Sequence, residues 1–227
     1  MTLAFISASD LITMPLICSL QAFTRSASLP SGKFRAIKPE IRIVGVDDGV
    51  FAPRAKGWAD VVGVVFRGGC WLDGIMKTEV TIDGMDATNK IAEMITTSPH
   101  YAQLRVIMLN GITFAGFNIV DIKKLFELTR LPVIAITREE PDFDDIREAL
   151  THLPESEKRW SIIKDSRQLI KIKTRRGQEP VYMQIAGLSQ KDAEKIVKES
   201  STRSNIPEPL RVAHIIASGL TKQKLKN

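Results

Sequence analysis

Residues 41–49 read Ile-Arg-Ile-Val-Gly-Val-Asp-Asp-Gly: a short apolar run closed by two carboxylates and a glycine. This is the pattern of a buried strand that stops at a turn. The same grammar repeats downstream. Asp60–Arg67 forms a second apolar run, closed by Gly68-Gly69. Trp71–Asp83 alternates and ends at Gly84, so it reads as a third strand hairpinned to the second. Asp86–Thr97 has helical spacing, with Asp86 as its candidate cap and Ile91, Met94 and Ile95 as its inner face. Leu104–Leu109 is the most apolar strand. A helix over Asn118–Leu128, a strand over Leu131–Ile136 and a short helix over Phe143–Leu150 follow.

Three early strands joined by tight turns are antiparallel neighbours, and the later strand–helix–strand steps are parallel crossovers. The expected fold is therefore α/β: a mixed five-stranded sheet flanked by helices. The back third adds a basic β/α elaboration. There, Trp160–Lys164, Leu169–Arg175 and Val181–Ile185 are candidate strands, and Ser189–Ser200 and Leu210–Leu220 are candidate helices. No GxGxxG or GxxxxGK[ST] is present, which argues against a dinucleotide or P-loop site.

The 227 residues suit one such domain, expected over residues 36–221, with 44% hydrophobic and 26% charged residues. Residues 1–35 differ in composition and read as a poorly ordered extension; residues 222–227 read as a basic tail. No apolar run is long enough to span a membrane. Two cysteines cannot make a disulfide scaffold, so a reducing, cytoplasmic setting is expected. Charge is uneven: residues 1–154 carry 16 Lys and Arg against 18 Asp and Glu, and residues 155–227 carry 16 against 8. An acidic front and a basic back suit a cation in one place and a polyanion in another, although a solvated basic surface gives the same count.

Side chains alternate along a strand, so Asp47 and Asp48 point to opposite faces and only one can join a given site. Asp47 is the choice, at the carboxyl end of a central strand. Asp83, Glu79 and Asp86 are the acidic groups that could meet it, and hard cations such as Mg²⁺ take oxygen ligands of this kind. Asp residues also close turns and cap helices, so each has an ordinary structural reading. The segment Leu109–Asn118 follows a buried strand, carries Gly111 and Gly116, and enters a helix. It is either a ligand crevice or a tight packed connection plugged by Phe114 and Phe117.

Together Ile43–Gly49, Val64–Gly69, Asp83–Thr88, Arg105–Asn118 and the string Ile-Pro-Glu-Pro-Leu-Arg-Val-Ala-His over 206–214 resemble the archaeal endonuclease dU family, a relative of endonuclease V. The resemblance runs from about Ile41 to Gly219. It implies a ribonuclease H-like core and a Mg²⁺-dependent endonuclease, with Mn²⁺ as a substitute cation. The implied substrate is DNA containing deaminated bases, chiefly deoxyuridine, with no membrane and no obligate protein partner. It makes Asp47, Asp83 and His214 the expected catalytic residues and Asp47, Asp83, Asn110 and Asp86 the expected metal ligands. One departure stands out: Asn110 occupies a position where Asp is expected, and an amide brings no negative charge. A non-catalytic nucleic-acid-binding protein on the same fold is the alternative this raises.

For the nucleic acid, backbone amides at Gly68, Gly69 and Gly111 are expected to read a base extruded from the duplex. Trp71 is a stacking wedge or a core residue. Lys171, Lys173, Arg175 and Arg176 form a row that tracks phosphates or guards an edge strand, with Arg211 as a further contact.

Overall fold

The computed structural model describes residue 34 and residues 36–52, 56–166 and 168–224; the expected N-terminal extension lies almost wholly outside these. The chain builds β1 (Arg42–Asp48), β2 (Trp58–Arg67), β3 (Trp71–Thr81), α1 (Ala87–Thr96), β4 (Val106–Asn110), the two-residue strands β5 (Thr113–Phe114) and β6 (Asn118–Ile119), α2 (Ile122–Thr129), β7 (Val133–Thr137), α3 (Phe143–Leu150), α4 (Ser156–Asp165), β8 (Ile170–Ile172), β9 (Val181–Ala186), α5 (Gln190–Ser200) and α6 (Glu208–Lys224).

The main sheet has seven strands in the order β3-β2-β1-β4-β7-β9-β8, not five. The five expected strands form its body: β1 pairs antiparallel with β2 and parallel with β4, and β4 pairs parallel with β7. The back third then continues the sheet rather than decorating it, because β9 pairs antiparallel with β7 and β8 with β9. Of the three candidate strands there, Trp160–Lys164 lies inside α4. Its apolar run is too short for periodicity to separate strand from helix.

The sheet is covered on both faces. Val44, Val46, Val61, Leu109 and Val133 pack under Ile91, Ile95 and Leu125 of α1 and α2, with Leu150 and Ile163 of α3 and α4 completing that layer. Ile43, Val106, Met108 and Ile134 point the other way, against Ile196 of α5 and Leu210 of α6. Ala213 and Ala217 of α6 sit on Val62, Val64 and Phe66 of β2. The close approach of α6 depends on Gly45, where a Cβ would overlap the Pro209 backbone.

Helix α2 begins at Ile122, not at Asn118, because Asp121 is its cap: the Asp121 carboxylate accepts from the Lys123 and Lys124 amides, each at 3.0 Å. Asn118 caps a different helix. Its Oδ1 accepts from the Ala87 amide of α1 at 2.9 Å, and its Nδ2 donates to the Thr81 carbonyl at 2.8 Å and to Asp86 at 2.5 Å. Helix α6 extends past the expected end through Lys224, into the stretch read as a basic tail. Among the described residues no helix is long and apolar enough to cross a membrane.

Candidate functional site

The two central parallel strands β1 and β4 end side by side, and Asp47 and Asn110 are their terminal side chains on the α6 face. Asn110 Nδ2 donates to Asp47 Oδ2 at 3.0 Å. From above, α6 brings His214, whose Nδ1 lies 2.9 Å from the same oxygen. Asp47 Oδ1 accepts from the Asp48 amide at 2.9 Å. Asp47 is 2% exposed, whereas the His214 side chain is 58% exposed. The carboxylate is thus buried and the imidazole carries its influence to solvent. Burial pushes the Asp47 pKa up, and the hydrogen bonds from Asn110 and Asp48, together with His214, pull against that rise.

Asp48 points to the other face. Its Oδ2 accepts from the Ala115 amide at 2.7 Å. Its pKa is pushed up to about 6, first by burial and also by the neighbouring Asp47 charge, while the Ala115 hydrogen bond opposes the rise. Asp83 grips the same loop. Its amide donates to the Ala115 carbonyl at 2.9 Å and its Oδ1 accepts from the Phe117 amide at 2.9 Å. Ala115 and Gly116 both have positive φ, so this loop takes a conformation that needs holding. The Asn110–Asn118 segment is therefore a tight connection, pinned by two carboxylates and plugged by the buried Phe114.

The structure does not bring the expected acidic ligands together. Asp83 is committed to the loop. Asp86 is committed to Thr81, accepting from its amide at 3.1 Å and its hydroxyl at 2.9 Å, and to Asn118; these bonds hold its pKa below the usual carboxylate range against its partial burial. Both groups belong to the corner where β3 turns into α1. That corner is braced by Arg159 of α4, which is buried and donates to the Gly84 carbonyl at 2.9 Å, to Asp83 O at 2.7 Å and to Phe117 O. Among the described residues, no three His, Cys, Asp or Glu side chains form a group that would hold a metal ion.

The donor set at Asp47 still suits one divalent cation. A carboxylate offers about four lone-pair sites. Three on Asp47 are taken by Asp48, Asn110 and His214, which leaves one on Oδ1. Turning the Asn110 amide would add a neutral oxygen. Mg²⁺ keeps most of its waters and is commonly held by one or two carboxylates, so the set fits it, at lower charge than a pair of Asp residues would give.

Asp60 was not legible as a site residue, although alternation along β2 places it on the face of Val62, the partner of Asp47. It is buried and ion-paired to Lys77 at 2.8 Å, and it lies across from Glu79 in the β2–β3 register. Lys77 and Glu79 share this face, so a charged strip runs from Asp47 toward the sheet edge.

The hairpin residues are elsewhere. Because β2 runs antiparallel to β1, its far end pairs Arg67 with Arg42, five residues or about 17 Å from Asp47. Gly68, Gly69 and Trp71 therefore lie at the opposite end of the β1–β2 pair from Asp47. The Gly68 amide is also spent on the Ile41 carbonyl, at 2.8 Å. Gly111 does adjoin Asn110, but its amide donates to Ile136 O at 2.8 Å. Arg175 is held by the Ser201 and Thr202 carbonyls and Arg211 by Glu208, so neither is a free phosphate contact. Lys171, Lys173 and Arg176 are exposed; Lys171 lies over the Tyr182 ring at 5.4 Å.

The endonuclease dU family model matches residues 39–221. A UPF0215 protein of Methanosarcina acetivorans is 52% identical over 184 residues, covering 81% of this chain and 92% of its own. A second, from Methanopyrus kandleri, is 51% identical over 190 residues, covering 84% and 96%. Among solved structures, a protein of unknown function from Archaeoglobus fulgidus is 38% identical with a TM-score of 0.71, over 79% of this chain and 98% of that one. Endonuclease V from Bacillus subtilis is 13% identical with a TM-score of 0.59, over 84% and 86%, and so shares the fold. The ribonuclease H-like sheet, the continuous family match and relatives at half identity agree: this chain belongs to the endonuclease dU family.

Proposed function

We propose that this protein is a divalent-cation-dependent endonuclease that cleaves DNA beside deaminated bases, chiefly deoxyuridine. The observation that carries the reading is the convergence of Asp47, Asn110 and His214 on one carboxylate oxygen at the end of the two central strands. Support comes from the family's name and from a neighbour in fold, the Ciona intestinalis endonuclease V, whose structure holds a DNA containing inosine.

Asp47 has two duties. Its Oδ2 fixes the imidazole with Nδ1 inward, which leaves Nε2 directed to solvent, where it can accept a proton. Asn110 holds the carboxylate rotamer, so the imidazole is aimed before substrate arrives. A water positioned at His214 Nε2 gives up its proton as its oxygen attacks the phosphorus, and the P–O bond to the leaving sugar oxygen breaks. A bound divalent cation supplies Lewis acidity toward a phosphate oxygen and eases ionisation of water. The charged strip from Asp47 to Lys77 lies on the face the substrate must cross.

The neutral side chain at Asn110 favours a second reading, a nucleic-acid-binding protein that has lost hydrolysis. Incubating duplexes that contain uracil, inosine or no damage with Mg²⁺ separates the two. Nicking restricted to damaged duplex supports the nuclease; salt-sensitive binding without nicking supports the second reading.

A further inference from the structure

Where β7 stops, on the α3–α4 face of the sheet, a pocket of about 570 Å³ opens between the strand ends and the helices. Ile112, Ile146 and Ile163 give it apolar walls. Two polar side chains of the sheet, Thr137 and Gln184, also line it. Ala135 registers with Gln184 and Thr137 with Tyr182, so Thr137 and Gln184 are diagonal neighbours on one face, about 7 Å apart.

Thr137 Oγ1 is buried and has no hydrogen-bond partner among the described residues. Buried polar atoms are nearly always paired, so this hydroxyl marks a place where a ligand atom belongs. Gln184 is 5% exposed, and its Nε2 donates to the Ser166 carbonyl at 2.5 Å. A carbonyl can only accept, which fixes the amide with Nε2 toward Ser166 and leaves Oε1 as the acceptor for a ligand. The rim carries Glu139, Glu140 and Asp142 against Arg138, all exposed, so its net negative charge disfavours an anion inside the pocket.

A hydroxyl beside a fixed acceptor, between apolar walls, complements a neutral ring that presents C=O next to N–H. Uracil and hypoxanthine carry that edge. Their parents, cytosine and adenine, carry an amino group next to a ring nitrogen that accepts. In the same pose, the ring N–H of uracil donates to Gln184 Oε1, whereas the ring nitrogen of cytosine sets acceptor against acceptor. We infer that Thr137 and Gln184 are specificity-determining residues: Gln184 Oε1 accepts from the ring N–H of a deaminated base, Thr137 Oγ1 donates to the adjoining C=O, and the parent base is refused. This deepens the nuclease reading and rests on it for the source of the base. Asn110 registers with Ile136, the residue before Thr137, but faces α6. A strand crossing these ends can keep its phosphate at Asp47 and pass an extruded base to the opposite face.

The test reads binding without cleavage, by calorimetry in chelator with the full chain. The probes are deoxyuridine against deoxycytidine as free nucleosides, and single-stranded oligonucleotides with one uracil against one cytosine. Wild type should hold the uracil member about tenfold tighter or more. A preference that includes the oligonucleotides supports the pocket as a reader of DNA. A preference confined to the nucleosides supports the pocket and assigns its ligand to free nucleosides. No preference in either pair overturns the inference. Thr137→Val keeps the shape and removes the unpaired hydroxyl, so uracil binding should weaken several-fold while the melting temperature holds or rises, because no hydrogen bond is lost. Gln184→Leu should erase the preference. Ile146→Trp, which fills the pocket and leaves the Ser166 bond intact, should do the same. An unchanged preference in Thr137→Val and Ile146→Trp overturns the inference. Uracil preference without nicking keeps the pocket and removes the nuclease; nicking without the preference does the reverse.

Discussion

His214 Nδ1 and Asp47 Oδ2 lie 2.9 Å apart although 167 residues separate them, and the pair joins the last helix to the first strand. The contact exists because Gly45 lets α6 lie directly on β1. It converts a buried carboxylate into an oriented, solvent-facing imidazole.

If that imidazole takes a proton during the reaction, His214→Ala should lower the single-turnover rate by about 10²–10⁴-fold. The melting temperature should hardly move, because most of the side chain is in solvent. A parallel loss of rate and of folded protein would show that the pair only fastens α6 to β1.

Asn110→Asp places a second carboxylate about 3 Å from Asp47. Without a cation the like charges repel, so the apo protein should melt at lower temperature at pH 8. With Mn²⁺ or Mg²⁺ the added anion should tighten binding tenfold or more, read by calorimetry. Equal cation affinity in variant and wild type would show that no cation sits at this oxygen pair.

Gly45→Ala tests the packing beneath the site. The added methyl meets the backbone of Pro209 rather than a flexible side chain end, so α6 must shift. The expected cost is about 1–3 kcal/mol in urea unfolding, with loss of nicking larger than that cost explains, because His214 moves with the helix.

Asp48 predicts a pH dependence of stability. Its pKa is about 6 in the folded chain against 3.8 as the ordinary value. Between those values the folded state binds more protons than the unfolded state, so stability falls as pH rises. The contribution is fully present below 3.8 and is lost as pH passes 6. Asp47, also raised by burial, acts in the same direction. Asp48→Asn keeps an acceptor for the Ala115 amide and removes the titration. Its melting temperature, measured in chelator from pH 4 to 7, should decline less than that of wild type. An unchanged slope would assign the titration elsewhere.

The sheet was legible where strands are apolar and turns carry glycine: the runs read over Ile41–Asp47 and Leu104–Leu109 fall on β1 (Arg42–Asp48) and β4 (Val106–Asn110), shifted by one or two residues, and the Gly68-Gly69 hairpin joins β2 to β3. So was the meeting of Asp47 with His214, through the resemblance over residues 206–214. Asp83 and Asp86 were misleading because a carboxylate in a turn looks the same whether it binds a cation or a backbone amide; only the fold shows Ala115, Phe117 and Thr81 as their partners. Asn118 reads locally as the cap of the helix that follows it, but caps a helix that starts 31 residues earlier. The distance of Trp71 from Asp47 was available in principle, since an antiparallel neighbour ends where β1 begins.

We propose that phosphodiester hydrolysis is centred on the Asp47 carboxylate. Its most direct test is single-turnover nicking of a duplex with one deoxyuridine, by wild type and by Asp47→Asn, at saturating Mg²⁺ and matched folded fraction. Wild type should nick the uracil strand, and the variant should be slower by about three orders of magnitude or more while keeping its affinity for the DNA. Cleavage by Asp47→Asn at the wild-type rate would place hydrolysis elsewhere in the molecule.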